Sequence, residues 1–243
     1  MSNVLILGAG SDVGKACAYL FAEKGYSVTL ASRKVEEQQR ISTDIQIRHE
    51  VDCESIYFDA LDYSSHAAFY KGLATQPDTV ISVFGLLGDQ GVAEKDFDHA
   101  DQIIQSNFTG NVSILGVVAN EMKKRKSGTI ICVSSVAGER GRKSNYFYGA
   151  SKAALTAFLS GLRARMLSSG VHVVTVIPGF IKTKMIDGLE TPAPLTAQPE
   201  DVAKAIFKGQ EKKKNVVYVL YSWRWIMMII RNIPEFIFKK LNL

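Results

Sequence analysis

Residues 3–14 read Asn3-Val4-Leu5-Ile6-Leu7-Gly8-Ala9-Gly10-Ser11-Asp12-Val13-Gly14. An unbroken aliphatic run, with no polar alternation, is what a strand buried on both faces of a parallel sheet requires. The chain then turns on glycines, and Val13, Cys17, Leu20 and Phe21 recur at helical spacing until Gly25. A strand, a glycine-rich turn and a helix start in that order make a cradle for a pyrophosphate. Small residues allow close backbone approach, and the free N–H groups of the first helical turn face the negative charge. Gly8, Gly10, Ser11, Asp12, Val13 and Gly14 are the candidate contacts. A plain strand-to-helix turn is the blander reading of the same residues.

Working outward, further short Val/Ile-rich runs stand at 27–31, 55–58, 79–83, 129–133, 171–177 and 216–220. Helical patterns separate them at about 14–24, 34–48, 64–74, 97–125, 146–168 and 199–211. Strict alternation of this kind predicts a single-domain, Rossmann-like α/β fold. Its doubly wound parallel sheet has about seven strands, with helices on both faces. Residues 184–199 carry Pro192, Pro194 and Pro199 and read as a lid loop beyond the C-terminal edge of the sheet. The expected organisation is a dinucleotide-binding unit over 1–220 and an apolar, basic C-terminal tail over 221–243.

The end of the second strand bears on the nucleotide. NAD sites usually place a carboxylate there for the ribose 2′-hydroxyl. Here the residues are Ser32-Arg33-Lys34, with no acid before Glu36. A guanidinium favours the 2′-phosphate of NADP(H) over NAD(H), unless Arg33 is merely solvated. Asp59, closing the third strand, is placed either to accept from an adenine amino group or to cap a turn.

Tyr148 and Lys152 lie four residues apart at the start of a predicted helix, hence on one face of it. An ammonium beside a phenol is expected to stabilise the phenolate and lower a pKa that is otherwise about 10. The pair gains meaning from its company: Ser134 and Ser135 end a buried strand shortly before, and Asn107 lies in the preceding helix.

With these residues together, nearly the whole chain resembles the short-chain dehydrogenase/reductase family. The likeness rests on the Gly-rich turn, Asn107, Ser135, Tyr148/Lys152, and Pro178-Gly179 followed by Thr183. It implies an NAD(P)-dependent oxidoreductase acting on CH–OH groups. Ser135 would orient the substrate carbonyl, Tyr148 would exchange the hydroxyl proton, Lys152 would hold the nicotinamide ribose, and Asn107 would support a water relay. Ala60, Gly85, Pro178, Gly179, Ile181 and Thr183 would join the cofactor contacts, together with Tyr148 and Lys152. Two departures stand out. The middle glycine of the family's G-x-x-x-G-x-G is Asp12 here, an acid that should repel a pyrophosphate unless it turns away to cap the helix. The family's Asn-Asn-Ala-Gly is Ser82-Val83-Phe84-Gly85.

Within the family, residues 138–149, Pro194-Leu195-Thr196 and the ending Arg224…Ile233-Pro234…Ile237-Phe238 are similar to the reductase components of decaprenylphosphoryl-ribose 2′-epimerases. That likeness implies reduction of a keto-sugar carried on a polyprenyl phosphate, with a flavin oxidase as partner. Arg140, Arg142 and Lys143 stand between Ser135 and Tyr148, either as a solvated basic loop or where a phosphate-bearing substrate is met. A reductase of another apolar ketone or acyl thioester, and a non-catalytic NADPH-binding regulatory protein, are the alternative functions.

Composition sets the remaining bounds. Hydrophobic residues at 47% and charged residues at 22% exclude a disordered chain, a collagen and a coiled coil. The formal charge of +5 is concentrated in residues 201–243, where nine Lys/Arg face three acids. No basic stripe marks a recognition element, so no nucleic acid is expected. The tail mixes Trp223, Trp225, Ile229, Ile230, Phe236, Ile237 and Phe238 with Arg224, Arg231, Lys239 and Lys240. It fits a helix lying in a membrane interface as well as one packed on protein. Three cysteines, no signal-peptide pattern and four scattered histidines point to a cytoplasmic chain, peripheral at a membrane at most, without disulfide or metal. The family likeness implies a homodimer or tetramer through helices near 97–125 and 146–168.

Overall fold

The computed structural model describes residues 2–241. Its main sheet has seven parallel strands: β1 (Asn3–Leu7), β2 (Ser27–Ser32), β3 (Cys53–Tyr57), β4 (Thr79–Ser82), β5 (Gly128–Val133), β6 (Val171–Ile177) and β9 (Val216–Tyr218). Their order is β3-β2-β1-β4-β5-β6-β9. A two-stranded parallel ladder, β7 (Phe180–Ile181) with β8 (Thr196–Ala197), stands beyond β6; it is too short to show as a sequence pattern.

Helices α1 (Asp12–Glu23), α2 (Val35–His49) and α8 (Pro199–Glu211) belong to one face, where Val13, Cys17, Phe21, Ile45, Val202 and Ile206 meet Val4, Ile6, Leu30 and Val174. The opposite face carries α3 (His66–Lys71), α6 (Gly110–Arg125) and α7 (Tyr146–Met166), which bury Tyr70, Ile114, Val118, Leu155 and Leu159 against Leu5, Val80 and Ile130. Burial of both strand faces is the reason the strands lack alternation. All three cysteines are free and buried.

The sequence-based boundaries shift in three places. A one-turn helix, α4 (Gln90–Ala93), precedes α5 (Phe97–Ile104). The helix expected over 97–125 is interrupted by a π turn at Gln105–Thr109 between α5 and α6. The tail folds as α9 (Ser222–Asn232) and α10 (Glu235–Phe238), broken by Pro234, which cannot continue a helix. Among the described residues no helix is long and apolar enough to cross a membrane.

Strands β1 and β4 are neighbours although two strands separate them in sequence, so connections leave β1 toward opposite faces. The crevice this creates at the C-terminal strand edge is where open α/β sheets take ligands.

Candidate active site

The glycine-rich turn sits at that crevice. Gly8 adopts φ +88°, and a Cβ there would also meet the backbone nitrogen of Phe84 at 2.8 Å. The amides of Gly8 and Ala9 both donate to the Ala31 carbonyl, at 3.0 and 3.2 Å, which ties the turn to the end of β2. Ser11 caps α1, its hydroxyl accepting from the Gly14 amide at 3.0 Å. Asp12 is therefore not the cap. Its carboxylate turns away from the helix start and accepts from the backbone N–H of Lys184 at 3.1 Å, pinning the first residues of the 184–199 segment.

Arg33 is exposed and without a hydrogen-bonding partner among the described residues, whereas Lys34 is held by Glu37 at 2.9 Å and Ser32 accepts from the Lys34 amide. Asp59 makes a turn, accepting from Leu61 N–H at 3.0 Å, while its carbonyl meets the buried His66 ring. Under Gly10 lies Gln38, buried and with neither amide atom partnered. Its polarity in a helical pattern carried no sequence signal. A cradle shaped by a positive-φ glycine, the open N-terminus of α1 and the orphaned Gln38 amide fit a dinucleotide. Gly8, Gly10, Ser11, Val13 and Gly14 would hold its phosphates, and Ser32 and Arg33 its adenosine ribose.

Asn107, Ser135, Tyr148 and Lys152 converge beside the cradle. Asn107 is fully buried in the π turn, a distortion frequent at functional sites. Its amide donates to the carbonyls of Leu86 (2.6 Å) and Ile103 (2.8 Å) and accepts from Leu86 N–H (3.1 Å). Beneath it Asn111, which sequence reasoning missed, donates to the Asn107 carbonyl at 3.0 Å and accepts from the Ser82 hydroxyl at 2.5 Å. A Cβ on Gly85 would crowd both Asn107 Oδ1, at 2.5 Å, and Lys152 Nζ, at 3.4 Å, so this glycine marks where the two side chains meet. The two serines part company. Ser134 turns to the Lys152 carbonyl and Thr156, whereas Ser135 accepts from Ala137 N–H and stands toward Tyr148.

The electrostatics overturn one expectation. Lys152 donates to the Val133 carbonyl at 3.0 Å and its Nζ lies 5.7 Å from the centre of the Tyr148 ring. Burial pushes the Tyr148 phenol up to about 12, with the Ser135 hydrogen bond pulling the other way. Burial likewise pulls the Lys152 ammonium down to about 8. Desolvation disfavours both charged forms and dominates each shift. The phenol is thus held protonated near neutral pH, the form that donates a proton.

The far wall is built from the C-terminal region. Trp223 of α9 is buried against Gly179, where any side chain would overlap the indole, and its Nε1 donates to the Leu195 carbonyl at 3.1 Å. Together with Met227, Val136 and Ile177 it forms a small apolar cluster next to Ser135. Gly179 thus lies against protein as well as at the edge of the crevice. Pro178 accepts from Val136 N–H through its carbonyl, Ile181 pairs with Ala197, and the Thr183 hydroxyl returns to the Ile181 carbonyl. Of the basic residues before Tyr148, Arg140 is committed to the tail. It pairs with Glu235 at 2.6 Å, donates to the Arg231 carbonyl and lies over the Phe238 ring. Arg140 is therefore not available to a phosphate.

Comparison with known proteins agrees with this geometry. A family profile described as short chain dehydrogenase matches residues 2–193. An uncharacterised oxidoreductase of Mycobacterium tuberculosis is 32% identical over 241 residues, covering 98% of this chain and 96% of that one. Another, from Streptomyces coelicolor, is 33% identical over 245 residues, covering 98% and 95%. Among solved structures, a short chain dehydrogenase from Burkholderia cenocepacia in complex with NADP superposes with TM-score 0.85 at 22% identity, covering 100% of this chain and 98% of that one. A short-chain dehydrogenase from Sphingobium yanoikuyae in complex with NADPH gives 0.83 at 21%, covering 97% of each chain. At such identity the structural matches speak for the fold, and the profile and the relatives speak for descent. On those grounds the chain belongs to the short-chain dehydrogenase family and is an NAD(P)-dependent oxidoreductase acting on CH–OH groups.

Proposed function

We propose that the chain is an NADPH-dependent carbonyl reductase whose substrate is a keto-sugar on a polyprenyl phosphate. The observation that carries the reductase reading is the enclosed set of Asn107, Ser135, Tyr148 and Lys152 beside the glycine cradle. NADPH, when bound, supplies the hydride. Tyr148, protonated at neutral pH, gives its proton to the carbonyl oxygen as charge develops there. The Ser135 hydroxyl, on the Tyr148 side of the site, holds that oxygen in line. Lys152 is still largely protonated at pH 7, and its charge favours the phenolate that proton delivery leaves behind. Asn107 keeps the π turn and Leu86 in place beside Lys152.

Preference for NADP(H) over NAD(H) is supported by Arg33, which follows β2, has no hydrogen-bonding partner among the described residues and has no acid after it before Glu36 in the sequence. Three structural neighbours were solved with NADP or NADPH and one with NAD. A lipid-linked substrate is supported by the outward face of the C-terminal helices. Trp225, Ile229, Phe236 and Ile237 are exposed there among Arg224, Lys239 and Lys240, a composition suited to a membrane interface. In this reading residues 1–220 are the reductase unit and 221–243 a cap that meets the lipid surface from the cytoplasmic side. A flavin oxidase supplies the ketone, and the reductase works as a dimer or tetramer.

The test is NADPH oxidation against a panel of ketones, including a polyprenyl-phosphate-linked keto-sugar, with wild type and Tyr148→Phe. Turnover confined to wild type and fastest on the lipid-linked sugar is the expected result. NADPH binding without turnover on any ketone would instead mark a sensor. Arg33→Ala is expected to erase the discrimination between NADPH and NADH.

A further inference from the structure

Among the described residues, eight buried side-chain nitrogen or oxygen atoms lack a hydrogen-bonding partner, and three of them fall within residues 139–145: Glu139 Oε2, Arg142 Nε and Asn145 Oδ1. Native proteins satisfy nearly all such atoms, so a cluster of exceptions needs a cause. This segment runs from Ser135 to Tyr148 and forms one rim of the crevice.

Arg142 is the most telling of the three. Its guanidinium is half-buried, forms no ion pair with a described carboxylate, and among the described residues has the Met227 sulfur, at 3.6 Å, as its side-chain polar contact. Burial lowers its pKa and no acidic neighbour offsets that. A thioether is a weak acceptor, and Met is flexible enough to swing aside. Asn145 is anomalous for a separate reason. It is the N-cap of α7, a position where an asparagine oxygen normally accepts from the first turn, yet its side chain makes no capping bond. One cationic fork and one free acceptor oxygen thus stand on the same short segment.

We propose that Arg142 binds an oxyanion of the substrate and that Asn145 Oδ1 accepts from a neighbouring hydroxyl, with Met227 moving aside as the ligand enters. Phosphate and carboxylate share the chemistry the fork recognises. The inference rests on the reductase reading, because the anion belongs to the molecule whose carbonyl meets Tyr148.

The test uses the full chain saturated with NADP⁺, so that the glycine cradle is filled. It measures the affinity of n-propyl phosphate, butyrate and glycerol 3-phosphate by ligand-observed NMR. Wild type is expected to bind at least one of the two simple anions, and the tighter one names the class. Arg142→Gln should weaken it by about tenfold or more. Arg142→Met keeps an apolar stem against Met227 should Gln disturb the packing, and NADPH fluorescence reports that each variant is folded. Asn145→Ala should weaken glycerol 3-phosphate several-fold and spare n-propyl phosphate. No anion binding by wild type, binding abolished by saturating NADP⁺, or equal affinity in folded Arg142 variants would each overturn the assignment. Arg142-dependent binding with no turnover of any ketone would sink the reductase reading and leave the anion site. Tyr148-dependent turnover without Arg142-dependent binding would do the reverse.

Discussion

The two walls of the crevice are built on opposite plans. On the catalytic side, the side chains of Asn107, Ser135 and Lys152 have hydrogen-bonding partners within the protein. On the other side, residues 139–145 leave three buried polar atoms unmatched, and the surface is closed by Trp223 and Met227. The first wall is preorganised, which is what proton transfer in a fixed geometry needs. The second is held by apolar packing around the polar groups proposed to meet the substrate. Chemistry and recognition are thereby separable.

Breaking the catalytic wall should therefore abolish turnover without unfolding the chain. Tyr148→Phe removes the proposed proton donor. It is expected to lower kcat by about 10²–10⁴-fold while NADPH binding, followed by fluorescence, persists. Retained turnover would show that another group donates.

Breaking the opposite wall should act on stability instead. Trp223→Ala leaves a cavity between Gly179 and Leu195 and frees the Leu195 carbonyl. A loss of about 3–5 kcal/mol in denaturant unfolding is expected. A loss below about 1 kcal/mol would mean that the cap contributes little to the fold.

The comparison sharpens with pH. Lys152 in the cofactor-free protein has a pKa near 8 against 10.5 for the free side chain. Between about pH 8 and pH 10 the unfolded chain holds this proton and the folded chain does not. Stability from this group therefore rises with pH across that window, by about 2–3 kcal/mol at most. Above pH 10 Tyr148, raised to about 12, reverses the sign. Lys152→Met removes this contribution, so the wild-type minus variant difference in unfolding free energy should rise between about pH 8 and pH 10, whatever the buried thiols of Cys17, Cys53 and Cys132 contribute to both; a difference independent of pH would refute the buried, depressed amine. The smallest effect is expected at the rim. Arg140→Ala breaks a pair whose Glu235 side is largely exposed, and should cost about 1 kcal/mol or less.

Much of the first wall was legible before folding. Tyr148 and Lys152 are four residues apart on one helix, and Gly8 to Gly14 lie within a single strand-to-helix turn. Their relation is local, so spacing alone expresses it. The partners of Asp12 and Arg140 were not legible, because each lies across the fold: Lys184 for one, Glu235 and Phe238 for the other. The π turn at Gln105–Thr109 was hidden too, since its residues fit a continuous helix and only the fit of Asn107 against Leu86 and Ile103 calls for the extra residue.

The amino-acid sequence by itself determined the parallel sheet, the glycine turn and which side chains are candidates for the chemistry, because periodicity and short spacing are properties of neighbouring residues. Tertiary structure alone decided the ionisation of Tyr148 and Lys152, the use of Gly179 as a seat for Trp223, and the division of the arginines between the tail and the crevice. Those depend on desolvation and on contacts between residues far apart in the chain, and neither exists until the molecule closes around them.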